Sequence, residues 1–185
     1  MGQRKTCRSL LQAHAVEHHG YVTKQEARKL GVPADDFDRL VERGRLTQVA
    51  GTLYRLEGMP RGHRHVLAEA VLRVGRDAFL SHDSVLALHD LTEHEPLTVR
   101  VATPHRHRSA GWPQHVEVLR RQVPAKDLTT YRGIRSTTVA RALLDCRDLL
   151  SRSQLITAAE QAVHRGLLLR RERNDLIEAL ELTGV

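Results

Sequence analysis

Apolar positions in the first part of this chain recur at helical spacing, then change to alternation. Leu10, Leu11 and Ala15, with Ala13 and Val16 beside them, predict an amphipathic helix over 6–18 that ends at Gly20. Tyr21 and Val22 make a short extended step. Thr23 followed by Glu26 is a capping-box spacing, in which hydroxyl and carboxylate each satisfy a free backbone N–H at a helix start, so a second helix is expected over 24–30. Gly31-Val32-Pro33 reads as a turn, and a third helix over 34–43 buries Phe37, Leu40 and Val41 before Gly44 stops it. Two helices joined by a tight glycine-containing turn form a helix-turn-helix. From Leu46 to Leu56 the pattern becomes that of two strands around Gly51, and three helices plus a hairpin make a winged helix over 1–58.

The run Gly58-Met59-Pro60-Arg61-Gly62 interrupts the periodicity and is taken as a domain boundary, with a second domain over 63–185. Helices are predicted over 64–75 and 84–91, the latter begun by a Ser81 or Asp83 cap. Strands are predicted over 97–102 and 116–119, with extended chain over 128–136 broken at Gly133. Three helical segments follow, over 138–149, 154–164 and 171–182. The expected fold class is therefore α+β: an N-terminal winged helix-turn-helix followed by a mixed α/β domain ending in a helical segment.

Composition adds a class of partner. The 185 residues carry 29 Lys and Arg against 22 Asp and Glu, with 12 histidines, and the isoelectric point is near 10.1. The basic excess is +3 over 1–58, +5 over 59–147 and −1 over 148–185. Such a balance favours polyanions, nucleic acid first, while 3% aromatics argue against a single-strand binder built on stacked bases. No apolar run approaches the roughly 18–20 residues of a membrane span, and the first eleven residues lack the apolar stretch of a signal peptide, so a cytoplasmic protein without membrane partner is expected. Cys7 and Cys146 stand apart without metal-ligand or disulfide spacing.

The segment Gly20-Tyr21-Val22-Thr23, Ala27, Leu30-Gly31-Val32, Leu40-Val41, Gly44-Arg45-Leu46, Val49 and Gly51-Thr52-Leu53-Tyr54-Arg55-Leu56 resembles the N-terminal winged-helix domain of AbiEi-type antitoxins of type IV toxin-antitoxin pairs. In the second domain, the stretch from Ser81 to His89 and the T-x-x-R-x-L-L-D pattern over Thr138–Asp145 are similar to segments of the same proteins. The resemblance implies repression of the protein's own operon by binding promoter double-stranded DNA, and neutralisation of a nucleotidyltransferase-like toxin.

In a helix-turn-helix the last helix enters the major groove while cations neutralise phosphates. Here that helix carries Asp35, Asp36, Asp38 and Glu42 against Arg39 and Arg43, a local −2, although acids near a helix N-terminus also complement its dipole. DNA contact is therefore expected from Lys24, Gln25, Arg28 and Lys29, from Arg39 and Arg43, and from the wing residues Arg45, Thr47, Gln48, Thr52 and Arg55, with Arg4, Lys5 and Arg8 adding phosphate contacts. The alternative is a winged-helix protein–protein module whose acidic helix docks on a basic toxin and which does not bind DNA. The residues leave the oligomeric state open.

No catalytic site, cofactor or metal is expected. His14 and His18 have a spacing that can present two imidazoles to one ion, but no zincin carboxylate follows. His63, His65, His105 and His107 read as solvent-facing, and Arg141 with Asp145 as a structural or surface pair. His82-Asp83 and His89-Asp90 resemble the dipeptide of HD-type phosphohydrolases without the further ligands that chemistry needs; a capping Asp83 and a half-buried His89 are the simpler reading. Neither a nucleophile elbow nor a phosphate-cradling glycine loop occurs.

Overall fold

A computed structural model of the protein describes residues 6–92, 96–106 and 112–182. The chain divides into two compact units, the first running to Arg73 and the second from Val74 onward. The first contains helix α1 (Cys7–Glu17), strand β1 (Tyr21–Thr23), helices α2 (Lys24–Lys29) and α3 (Ala34–Glu42), strands β2 (Leu46–Ala50) and β3 (Leu53–Leu56), then helix α4 (His63–Val74). Up to Leu56 these are the predicted elements in the predicted order.

Local chemistry explains the boundaries. Thr6 Oγ1 accepts from the Ser9 amide at 3.2 Å to cap α1. At α2 the capping box is complete: Thr23 Oγ1 accepts from the Glu26 amide at 3.2 Å, and Glu26 Oε2 accepts from the Thr23 amide at 2.7 Å. Gly31 ends that helix at φ +82°, a conformation that a side chain disfavours.

The three strands form an antiparallel sheet in the order β1-β3-β2. Val22, Tyr54 and Gln48 stand in one row across it; Tyr21, Arg55 and Thr47 stand in the next. Adjacent rows point to opposite faces. Val22 and Tyr54 join Leu11, Ala15, Phe37 and Leu46 in the core beneath the helices, with the Phe37 ring edge-on to Tyr54 at 5.0 Å.

Tyr21 is 1% exposed yet lies on the other face. It is covered from α4: its hydroxyl donates to Glu69 Oε2 at 2.5 Å and lies 2.8 Å from His65 Nε2, while its ring stacks on His65 at 5.0 Å. Arg73 Nε donates to Glu69 Oε1 at 2.7 Å. Helix α4 thus groups with the first unit, although the sequence reading sets it at the start of the second. The difference lies in Tyr21, whose burial demands an element on that face.

The second unit holds strands β4 (Phe79–Leu80), β5 (Val99–Thr103), β6 (Val116–Arg120), β7 (Leu128–Tyr131) and β8 (Ile134–Thr137), with helices α5 (Asp83–Leu88), α6 (Val139–Asp145), α7 (Arg152–His164) and α8 (Arg170–Leu182). The strands form one mixed sheet in the order β6-β5-β4-β8-β7. The two-residue β4 carries no alternation long enough to predict it. Helix α5 packs on β5 and α6, and α6 on α7 and α8. The protein is α+β, a winged helix followed by a mixed unit with a helical end.

Two sequence expectations in this unit are corrected, and a third is narrowed. The cap position of α5 is His82, at φ 54°, because Asp83 turns instead to Arg100 at 2.5 Å. His89 is buried rather than half-buried, its ring 4.4 Å from that of Tyr131. Arg141 and Asp145 do pair, and of the two readings the structural one holds for Asp145. Its side chain is 5% exposed, and Oδ1 accepts from Arg121 at 2.6 Å and Arg141 at 2.9 Å. Thr138 caps the helix bearing this pair by accepting from the Arg141 amide at 3.3 Å.

Two stability changes are expected. Tyr21→Phe leaves a largely buried Glu69 without its hydroxyl donor and lowers stability by about 1.5–3 kcal/mol, whereas Asp145→Ala leaves Arg121 without its carboxylate and Arg141 with only Asp127 at 3.4 Å, and costs about 3 kcal/mol; urea unfolding measures both.

A pH effect follows from His14 and His65. Burial holds each imidazole below the ordinary value of 6.5, helped by the His18 charge at His14 and by Arg55 and Arg61 at His65. The folded state therefore binds fewer protons than the unfolded chain. The stability they contribute is full above pH 6.5 and is lost as pH falls through that value toward the folded pKa. Unfolding followed against pH should show this decline, flattened in His65→Gln.

Candidate nucleic-acid interface

Helices α2 and α3 enclose a cleft of about 120 Å³ lined by Lys24 and Arg28 on one side and Ala34, Phe37 and Asp38 on the other. Lys24 and Arg28 are four apart, so successive turns of α2 bring both to the cleft. Lys24 Nζ donates to Asp38 Oδ1 at 2.8 Å and lies 5.7 Å from the Phe37 ring centroid and 5.8 Å from that of Tyr54. The bond to Asp38 raises the Lys24 pKa and keeps it a cation.

These contacts redistribute the charge of α3. Asp38 is matched by Lys24. Asp36 accepts from Arg39 at 3.1 Å and, through its other oxygen, from Cys7 Sγ at 3.4 Å. Burial and that bond raise the Cys7 thiol pKa, so Cys7 is a neutral donor rather than a thiolate. Among the described residues only Asp35 and Glu42 on this helix have no ion pair. Arg8, Arg28, Lys29 and Arg43 are exposed and likewise free of ion pairs among the described residues. The unmatched charge around the helix-turn-helix is therefore positive, reversing the sign that α3 shows in the sequence alone.

The wing is less uniform than the sequence suggests. Arg45 is tied to Glu57 at 2.8 Å. Gln48 Nε2 donates to the Gly51 carbonyl at 2.5 Å, closing the hairpin. Arg55 donates to the Met59 carbonyl at 2.8 Å and is only half exposed. By strand register Thr47 shares the face of Arg55 and Tyr21, and Gln48 the opposite one. Gln25 and Thr52 are exposed. Arg4 and Lys5 lie outside the described residues. The structure thus brings Lys24 and Arg28 together, keeps Arg39 beside Asp36, and engages Arg45, Gln48 and Arg55 within the domain.

The histidines take structural positions. His14 and His18 stack at 3.8 Å, and the His18 Nδ1 lies 2.8 Å from the His14 carbonyl. Among the described residues no three His, Cys, Asp or Glu side chains come together as a metal site. His65 faces Tyr21 rather than solvent, and His105 Nε2 lies 3.1 Å from Asp77 Oδ2. His63's side chain and His107 lie outside the described residues. His82 Nδ1 is 3.0 Å from Ser81 Oγ, and the Asp83 carboxylate is held by Arg100, so this pair is engaged with neighbours of its own unit.

The buried Tyr21–Glu69–Arg73 chain is the feature that sequence reasoning missed. Its signal was the pair Tyr21-Val22: two consecutive apolar residues in one strand require cover on both faces. No described helix is long and apolar enough to cross a membrane.

No curated protein matches this sequence. Residues 9–56 match the family described as a transcriptional regulator, the AbiEi antitoxin, which is a regulatory rather than an enzyme class. That span runs from α1 to the end of β3, so the similarity to AbiEi-type antitoxin transcriptional regulators lies on the winged helix of this chain.

Proposed function

We propose that this protein is the antitoxin and autorepressor of a type IV-like pair. Its winged helix binds double-stranded promoter DNA of its own operon, and its second unit engages a nucleotidyltransferase-like toxin in the cytoplasm. It acts by binding, without catalysis, cofactor or metal. The observation that carries the DNA half is the set of exposed, unmatched cations Arg28, Lys29 and Arg43 within the matched span, with Arg8 one residue before it. The toxin half rests on the family match.

In this reading the sequence-predicted contacts separate into two groups. Arg28, Lys29 and Arg43, with Arg8 and the outlying Arg4 and Lys5, neutralise phosphates, while Gln25, Thr47 and Thr52 are exposed hydrogen-bonding groups for the backbone or base edges. Lys24 and Arg39 reach DNA by exchanging an exposed carboxylate for a phosphate, an exchange that weak surface pairing permits. Arg45, Gln48 and Arg55 shape the wing and its approach to the duplex.

The alternative, a module that meets only protein through its acidic helix, has a narrower base, because Asp36 and Asp38 already serve cations of the same domain. Asp35 and Glu42 remain for it.

Each phosphate neutralised releases counterions, so affinity for a promoter duplex should fall steeply with salt. Arg43→Ala and Lys29→Ala should each weaken binding and reduce the slope of log K against log salt by about 1, whereas Arg55→Ala should leave the slope unchanged and lower stability instead. Fluorescence anisotropy with labelled promoter fragments decides it: an affinity insensitive to salt, or no binding, removes the repressor role. Asp35→Lys separates the two readings, since tighter DNA binding places α3 at the groove and weakened toxin capture with DNA binding unchanged places it on protein.

A further inference from the structure

Strand β6 ends the five-stranded sheet of the second unit on one side, and no described strand pairs with its outer edge. Its register with β5 is continuous and parallel from Val116 to Arg120. The His115 carbonyl accepts from the Val99 amide at 2.7 Å, and the Arg121 amide donates to the Thr103 carbonyl at 2.9 Å. Backbone groups alternate sides along a strand, so residues 115, 117, 119 and 121 face β5. Val116, Val118 and Arg120 therefore turn their backbone outward. The Val116 amide is used by the Pro113 carbonyl at 2.9 Å, while the Val118 and Arg120 amides have no acceptor among the described residues.

Sheet edges of this kind are usually blunted by brevity, a bulge, an intervening proline or like charges, whereas the charges of β6, Glu117 and Arg120, are of opposite sign. In the first unit β1 is three residues long and β2 carries a register shift between Gln48 and Ala50. Strand β6 has five residues, none of them glycine or proline, and no register shift.

Its sequence, Val-Glu-Val-Leu-Arg followed by Arg121, also selects an occupant. A parallel copy sets Arg120 beside Arg120 and Glu117 beside Glu117. An antiparallel copy centred on Leu119 sets Glu117 opposite Arg121 twice, Val118 opposite Arg120 twice, and Leu119 against itself. In that register the outward-facing residues 118 and 120 exchange N–H and C=O, and Glu117, held at 3.0 Å by Arg100, and Arg121, held at 2.6 Å by Asp145, each gain a second unlike neighbour from the other copy. Centring on Val118 instead opposes Glu117 to Leu119 and Arg121 to His115, which brings neither charge an unlike neighbour from the other copy.

We propose that β6 is a self-complementary edge through which two copies of this chain pair antiparallel, Leu119 against Leu119 at the two-fold, joining their sheets into one. The proposal is independent of the DNA reading. Other occupants, such as a strand of a different protein, would leave the isolated chain monomeric.

Four measurements test it on the full chain. Sedimentation equilibrium should give a dimer, and amide exchange should find Val118 and Arg120 protected along with Glu117 and Leu119. Arg120→Pro removes an outward donor without touching the β5 ladder, a place where an edge strand tolerates proline. It should keep its circular dichroism and weaken dimerisation about tenfold or more, through two lost hydrogen bonds per dimer. Opposed residues at a non-hydrogen-bonded pair lie about 4.5 Å apart at Cα, within disulfide reach. In a Cys7→Ser background, Leu119→Cys should therefore form a covalent dimer under mild oxidation, while Thr129→Cys on β7 should not. A monomer at every concentration, fast exchange at Val118 and Arg120, an unchanged dimer in Arg120→Pro, or equal cross-linking at Thr129 would overturn the pairing.

Discussion

A three-stranded sheet of short strands has little apolar area to spare, and in this protein it buries a tyrosine on each face, Tyr54 on one and Tyr21 on the other. That constraint organises the first unit. Val22 and Tyr54 serve the helices on one side, while Tyr21 turns to the other and requires a partner that can also accept its hydroxyl. Glu69 supplies the acceptor and Arg73 holds it. Burial pushes the Glu69 pKa up, but the bonds from Tyr21 and Arg73 outweigh it, and the carboxyl stays below its ordinary range. The Tyr21 phenol is pushed well above its own. The hydroxyl therefore remains a donor and the carboxylate an acceptor across the physiological range.

The same economy governs charge. A helix bearing four acids at the expected DNA-facing position looks unsuited to a polyanion. Two of the four are matched inside the domain, one by Lys24 from α2 and one by Arg39 a turn away. The lysine also sits over Phe37 and Tyr54, so one side chain links α2, α3 and the top of the core. What remains unmatched is a group of arginines and a lysine from three elements, and this residue-level balance, more than the total of +7, is what supports the DNA reading.

Much of this was legible in the residues. Capping at Thr23 and Glu26, the glycine stop at Gly31 and the change of period after Gly44 are local signals, and they located each element of the winged helix to within a residue or two. Less legible were properties that depend on contacts distant in sequence. Nothing near Tyr21 points to Glu69, and the burial of Asp145 depends on Arg121 arriving from beyond β6. The candidate DNA residues show the same division. Their exposure on α2 and α3 follows from helical spacing, but the engagement of Arg55 with Met59 and of Arg45 with Glu57 arises from the path of the chain after the hairpin.

The dependence of Tyr21 on α4 also bears on how the regulator can be cut. The family match stops at residue 56, before that helix begins. A fragment trimmed to the match would lose Glu69 and His65 together and turn the Tyr21 ring out to water on a small sheet. Such a piece would be prone to self-association. The smallest portable version of this module extends through Arg73.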